Sequence, residues 1–232
     1  MSLDSPDQRP AQLPGPRTAP AGPYPATRDR TRAVFGQVMG LVALTLGCLA
    51  LGAYIGRNLS GGLGIAFFIA GFACIFGLNI ATSRGHQQLA TTLLFGLGLL
   101  LGLGLGPVIN DYAKADPAAV WQAAGATGGF IAVLGSVGYA IRRDLSPWWR
   151  TLFWALVALL VFGLVALFVS IPHANLIWSI AGLVIFGGFT IFDFNRLRRA
   201  GSEYAVPIAA SIFLDVLNVF LFFLQLFGGG RE

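Results

Sequence analysis

Seven runs of apolar residues, each close to twenty long, constrain this chain more than any other feature. They cover Ala33–Ile55, Gly61–Ala81, Gln88–Ile109, Ala118–Ile141, Thr151–Ile171, Ala174–Phe192 and Pro207–Phe227. A helix rises about 1.5 Å per residue, so about twenty apolar residues match the ~30 Å hydrocarbon layer of a bilayer. That layer offers the backbone no hydrogen-bond partner, which leaves helices or a closed barrel as the spanning structures. The alternating segments of about ten residues that make a barrel are missing. Only 11% of the 232 residues are charged, against about 25% in a soluble domain. The expected fold class is therefore an all-α membrane protein, a seven-transmembrane-helix bundle whose short connections make sequential helices antiparallel neighbours.

A net charge of +5 raises nucleic acid as a partner, but the basic residues fall in the connections, where topology accounts for them. No nucleic-acid partner is expected; the lipid bilayer is the first one. With the N-terminus cytoplasmic, twelve of the fifteen Lys and Arg residues lie inside, and only Arg57, Lys114 and Arg231 lie outside. Seven spans then put the C-terminus outside. Residues 1–32 hold seven of the twelve prolines and no apolar run, as expected of a disordered Pro/Arg-rich cytoplasmic tail. Residues 33–228 make the transmembrane domain. The tail lacks the apolar core of a secretory signal, so the first helix is expected to serve as an uncleaved targeting signal. Cys48 and Cys74 fall inside apolar runs and read as small buried hydrophobes. Fourteen Arg against the single Lys114 hint at a GC-rich bacterial genome, hence a bacterial inner (plasma) membrane.

The third run carries Gly96, Gly98, Gly102, Gly104 and Gly106 before Pro107. Small residues let helix backbones approach closely; the alternative is a helix that bends or breaks to line a path. A nucleotide-binding loop is excluded, since no strand precedes these glycines and they lie at membrane depth.

The last two runs each carry one carboxylate, Asp193 and Asp215, eleven residues either side of Tyr204 in the connecting loop. An antiparallel hairpin therefore places both acids at one depth. A carboxylate inside a bilayer costs about 2.5–3.5 kcal/mol on insertion scales, so it is rarely kept without a use or a partner. Two level acids in a dry layer can share one proton near neutral pH and titrate as a unit. Losing that proton leaves two repelling charges, which a cation can bridge or which can push the helices apart. Asp193 and Asp215 alone make a weak calcium site, because Ca²⁺ takes six to eight oxygens. Asn218, three residues beyond Asp215 and on the same helix face, can add one more. Arg84 at the inner end of the second run can neutralise either acid from across the bundle, or serve only as a positive-inside anchor. Asp193 can equally be a mere cap beside Arg196. No enzyme cofactor is expected; calcium enters as a transported ion.

Three stretches, IAVLGSVGYAIRRDLS (131–146), WSIAGLVIFGGFTIFDFNRL (178–197) and SIFLDVLNVFLFFLQLFG (211–228), make the chain similar to the Bax inhibitor-1 family, also called the transmembrane Bax inhibitor motif family. The resemblance spans about residues 30–228. It implies a seven-helix fold with the last helix central and a pH-sensitive calcium leak across the membrane, with Asp193 and Asp215 as the proton-sensing pair. Arg84 lies where the family often has a basic cluster. Phe192 and Gln225 stand where many members carry Tyr and Arg, and the second change removes a charge from the end of helix seven.

Two other classes compete. An intramembrane aspartyl protease also uses two aspartates on neighbouring helices to activate water, but carries Gly-x-Gly before the second, where this chain has Ile212-Phe213-Leu214. A serine site at Ser136 lacks a histidine on a neighbouring helix, since His86 and His173 are loop residues. The third class is a non-conducting membrane adaptor that regulates membrane-protein partners through its helices or its tail.

Overall fold

The computed structural model describes residues 24–170 and 172–229. Residues 1–23, most of the expected tail, lie outside the described residues. The chain forms α1 (Tyr24–Gly56), α2 (Gly61–Ser83), α3 (Gln87–Ala115), α4 (Pro117–Ala140), α5 (Trp148–Ala166), α6 (Ala174–Arg199) and α7 (Ala205–Gly228), with one 3-10 turn at Ser202–Tyr204 before α7. All seven helices are long and apolar enough to cross a membrane, and no strand occurs among the described residues. This is an all-α, seven-helix integral membrane protein.

Helix ends run past the apolar runs wherever the flanking residues favour a helix. α1 begins at Tyr24, ahead of the expected Ala33. α6 continues beyond Phe192 through Arg196, Arg198 and Arg199, whose charges suit the negative end of the helix dipole. Asp193 is consequently inside a helix and not at its cap. α4 starts sharply: Asp116 accepts from the backbone N–H groups of Ala118 (3.1 Å) and Ala119 (3.4 Å), and Pro117 opens the first turn.

α7 is the most buried span and packs against α1, α2, α3, α4 and α6. α5 is the least buried; it packs on α6, and its apolar side chains such as Leu160, Val161 and Leu164 face outward. Cys48 and Cys74 are half-buried free thiols.

α3 is one continuous helix through its glycines and Pro107, so these residues do not break it. Gly98, Gly102 and Gly106 recur every fourth residue and face α1. A methyl added to Gly102 would meet the Leu49 carbonyl and lie 2.9 Å from the Ala53 nitrogen. Gly52 of α1 reciprocates against the backbone of Leu99 and Leu103, and Gly104 meets α2 at Gly64 and Phe68. Backbone-to-backbone contact is thus the glue between α1, α2 and α3. Gly96 has open space at its Cβ position. Gly102→Ala is expected to destabilise the bundle by about 1–3 kcal/mol through overpacking. Gly96→Ala should be neutral or stabilise by up to about 1 kcal/mol. Thermal midpoints of the two variants in the same detergent check the contrast.

Candidate functional site

α6 lies between α4 and α7, and alternate residues near its C-terminal end serve the two neighbours. Asp193 and Asn195 are two positions apart, about 200° around the helix. Asp193 meets α7, and Asn195 meets α4.

On the α7 side the carboxyl groups of Asp193 and Asp215 are in hydrogen-bonding contact. Each is only 4% exposed. Oδ2 of Asp215 is buried without a hydrogen-bond partner. The Arg196 guanidinium acts electrostatically on Asp193. Arg84 does not join them: it caps the C-terminal end of α2, exposed, and no ion pair links it to either acid among the described residues. Asn218 is half-buried and spends its amide on its own helix, donating to the Leu214 carbonyl at 2.8 Å. Among the described residues, no cluster of three or more His, Cys, Asp or Glu side chains gathers as a metal site. The pair therefore has room for one proton between its carboxyls and leaves one oxygen without a protein partner. A cation there would depend on water, backbone carbonyls or substrate-side oxygens for the rest of its shell. His86 and His173 stand at the starts of α3 and α6.

On the α4 side Asn195 is wholly buried. Its Nδ2 donates to the carbonyls of Gly138 (3.4 Å), Ile141 (2.7 Å) and Arg143 (3.1 Å). These belong to the last turn of α4 and the residues just after it, where helix carbonyls have no partners of their own. Gly135 and Gly138 make the approach possible, since a Cβ on either would strike the Phe194 ring or the Ile191 backbone. Asn195 Oδ1 accepts from the Arg199 guanidinium at 2.8 Å, and Arg199 pairs with Asp144 at 2.7 Å. Asp144 in turn accepts from the Ser146 hydroxyl (2.7 Å) and backbone N–H (2.8 Å). The Ser146 hydroxyl, then its N–H, then Arg199 hold the Asp144 carboxyl down to about 2, below the ordinary carboxylate value.

This polar chain was hidden from sequence reasoning. Asp144 two residues before Ser146 is a local turn signal, but nothing in the order of residues tells that Asn195 points at α4. A third polar contact closes the opposite end of α6 and α7. Ser179 donates to Gln225 at 3.1 Å, and Gln225 donates to Asn175 at 3.4 Å, an uncharged clasp where many relatives were expected to carry Arg.

Asn195→Leu removes the donor to three carbonyls and should destabilise the bundle by about 1–3 kcal/mol, read as a lower thermal midpoint in detergent. For Asp144 the folded-state value lies below the unfolded one. Its stabilisation is therefore complete above about pH 4 and is lost as pH falls through about 2. The protection factors of the amides at residues 142–146, which remove the intrinsic pH dependence of exchange, should accordingly stay flat from pH 5 to 8 in the wild type, and fall at every pH in Asp144→Asn.

Comparison with known proteins agrees with this architecture. The family model described as "Inhibitor of apoptosis-promoting Bax1" matches residues 31–232. A Helicobacter pylori protein is 31% identical over 163 residues, covering 70% of each chain. A Deinococcus radiodurans protein is 28% identical over 221 residues, 89% of this chain and 94% of its own. The Escherichia coli inner membrane protein YbhL is 28% identical over 180 residues, 72% of this chain and 75% of its own. With a family match that covers the whole transmembrane domain, this chain belongs to the Bax inhibitor-1 family.

Proposed function

We propose that the protein is a pH-sensitive leak for calcium, or a closely similar cation, across a bacterial inner membrane, gated by Asp193 and Asp215. The observation that carries this reading is the contact between two buried carboxyls from separate spans, one of them with an oxygen that no protein group satisfies. Such groups are expensive in a bilayer and mark ion or proton pathways. While one proton is shared, the hydrogen bond joins α6 to α7. When the proton leaves, two negative charges face each other at low dielectric. Their repulsion favours separation of the helices, and the vacated oxygens attract a divalent cation. Arg196, a turn along from Asp193, tempers the charge on that side and leaves Asp215 as the less compensated partner. The cytoplasmic N-terminus is supported by the excess of Arg in alternate connections, and the inner membrane by the similarity to the inner membrane protein YbhL.

The sign follows directly. Protonation closes the pair, so flux rises with pH. Purified protein in liposomes loaded with a calcium indicator should pass calcium several-fold faster at the alkaline side of the transition than at the acid side. Asp215→Asn keeps a hydrogen bond without a titrating proton and should flatten the pH dependence; Asp193→Asn should do the same. Flux equal to empty vesicles at every pH would sink the leak reading and favour a non-conducting adaptor.

A further inference from the structure

Between α1 and α4 the bundle leaves a cavity of about 1460 Å³, with α3 and α7 behind it. Most small-molecule pockets hold about 300–1,000 Å³, so this one suits a larger guest. Arg32 lines one end and Arg57 the other. The stretch of α1 between them is about 37 Å long at 1.5 Å per residue, enough to join the two interfaces of a bilayer. The wall between is apolar, with Met39, Leu46 and Leu49 from α1, Ile131 from α4 and Val216 from α7.

The charge pattern selects the guest. Both charged side chains on the lining are cations, and no carboxylate lines the cavity. Such a slot repels a metal cation and suits a long apolar body with an anionic end. The Arg57 mouth is the better formed. Its guanidinium lies 4.2 Å over the Tyr54 ring. The Asn110 amide donates to the Arg57 backbone carbonyl at 3.1 Å, tying the end of α1 to α3. Trp121 of α4, 79% exposed, lines the same cavity. Tyr and Trp favour the headgroup level of a bilayer, and a guanidinium fits phosphate bidentately.

We propose that the α1–α4 cavity is a binding site for an anionic phospholipid, its acyl chains along the apolar wall and its phosphate on Arg57 at the mouth lined by Tyr54 and Trp121. Residues 1–23 are a poor alternative guest, because they contain no apolar run to cover this wall. Neither Asp193 nor Asp215 lines the cavity, so the site stands or falls separately from the calcium reading.

Two glycines on α4 supply the test. Gly128 lines the cavity and has open space at its Cβ, so the side chain of Gly128→Leu starts into the slot from an unobstructed Cβ; Gly129 also has open space at its Cβ but is not on the lining. Delipidated protein is titrated with phosphatidylglycerol or phosphatidylcholine of matched chains, and bound lipid is counted by native mass spectrometry. The wild type should prefer phosphatidylglycerol several-fold. Arg57→Gln should weaken its binding roughly tenfold, the size of one charge-assisted contact, and level the preference. Gly128→Leu should lose the bound lipid while Gly129→Leu keeps it, with thermal midpoints within a few degrees of each other. Equal binding of the two lipids by the wild type, a preference untouched by Arg57→Gln, or a lipid-free dimer that Gly128→Leu breaks would each overturn the proposal. The last outcome would assign the cavity to a second copy of the chain.

Discussion

Within a bilayer an apolar helix face gains nothing by leaving lipid for protein, because the two are equally oily. Association must come from close packing and from polar contacts that lipid cannot supply. This chain divides those means between two halves. α1, α2 and α3 are joined by backbone contact through glycines such as Gly52, Gly102 and Gly104. α4, α6 and α7 are joined by polar side chains: Asp193 with Asp215, Asn195 with the end of α4, and Ser179 with Gln225. α7 touches both halves and carries more burial than any other span.

The two halves differ in what can disturb them. Glycine contacts respond to volume and are indifferent to protons. The polar contacts on α6 are of two kinds. The amide of Asn195 has no charge to lose, and the Asp144 carboxylate stays ionised across the physiological range. The second kind is the facing carboxyls of Asp193 and Asp215, two acids of which one keeps an oxygen that no protein group satisfies.

The number of helices was legible because the bilayer imposes a length on each span, and twenty apolar residues cannot be read many other ways. Their ends were less so: Arg196, Arg198 and Arg199 are charged yet helical, and α5 stops at Ala166 although apolar residues continue to Ile171. The meeting of the two acids follows from equal spacing about the Ser202–Tyr204 turn, which needs only an antiparallel hairpin. Arg84 could not be placed from order alone, because its reach depends on which helix packs beside α2. The triple role of Asn195 depends on the rotation of α6 against α4, and the α1–α4 cavity on how far two helices diverge. Neither is written in periodicity.

Asp193 and Asn195 share one rigid helix, two residues apart, and this gives α6 the character of a crank. The Asn195–Arg199–Asp144 chain fastens it to the turn from which α5 departs, and α5 leans on α6. Any tilt or rotation that parts the acids must drag that turn and the outermost helix with it, or else break the three hydrogen bonds that Asn195 donates to the end of α4 and the residues just after it. Motion at the centre of the bundle would thus be reported at its lipid-facing rim, by the least buried helix of the seven described.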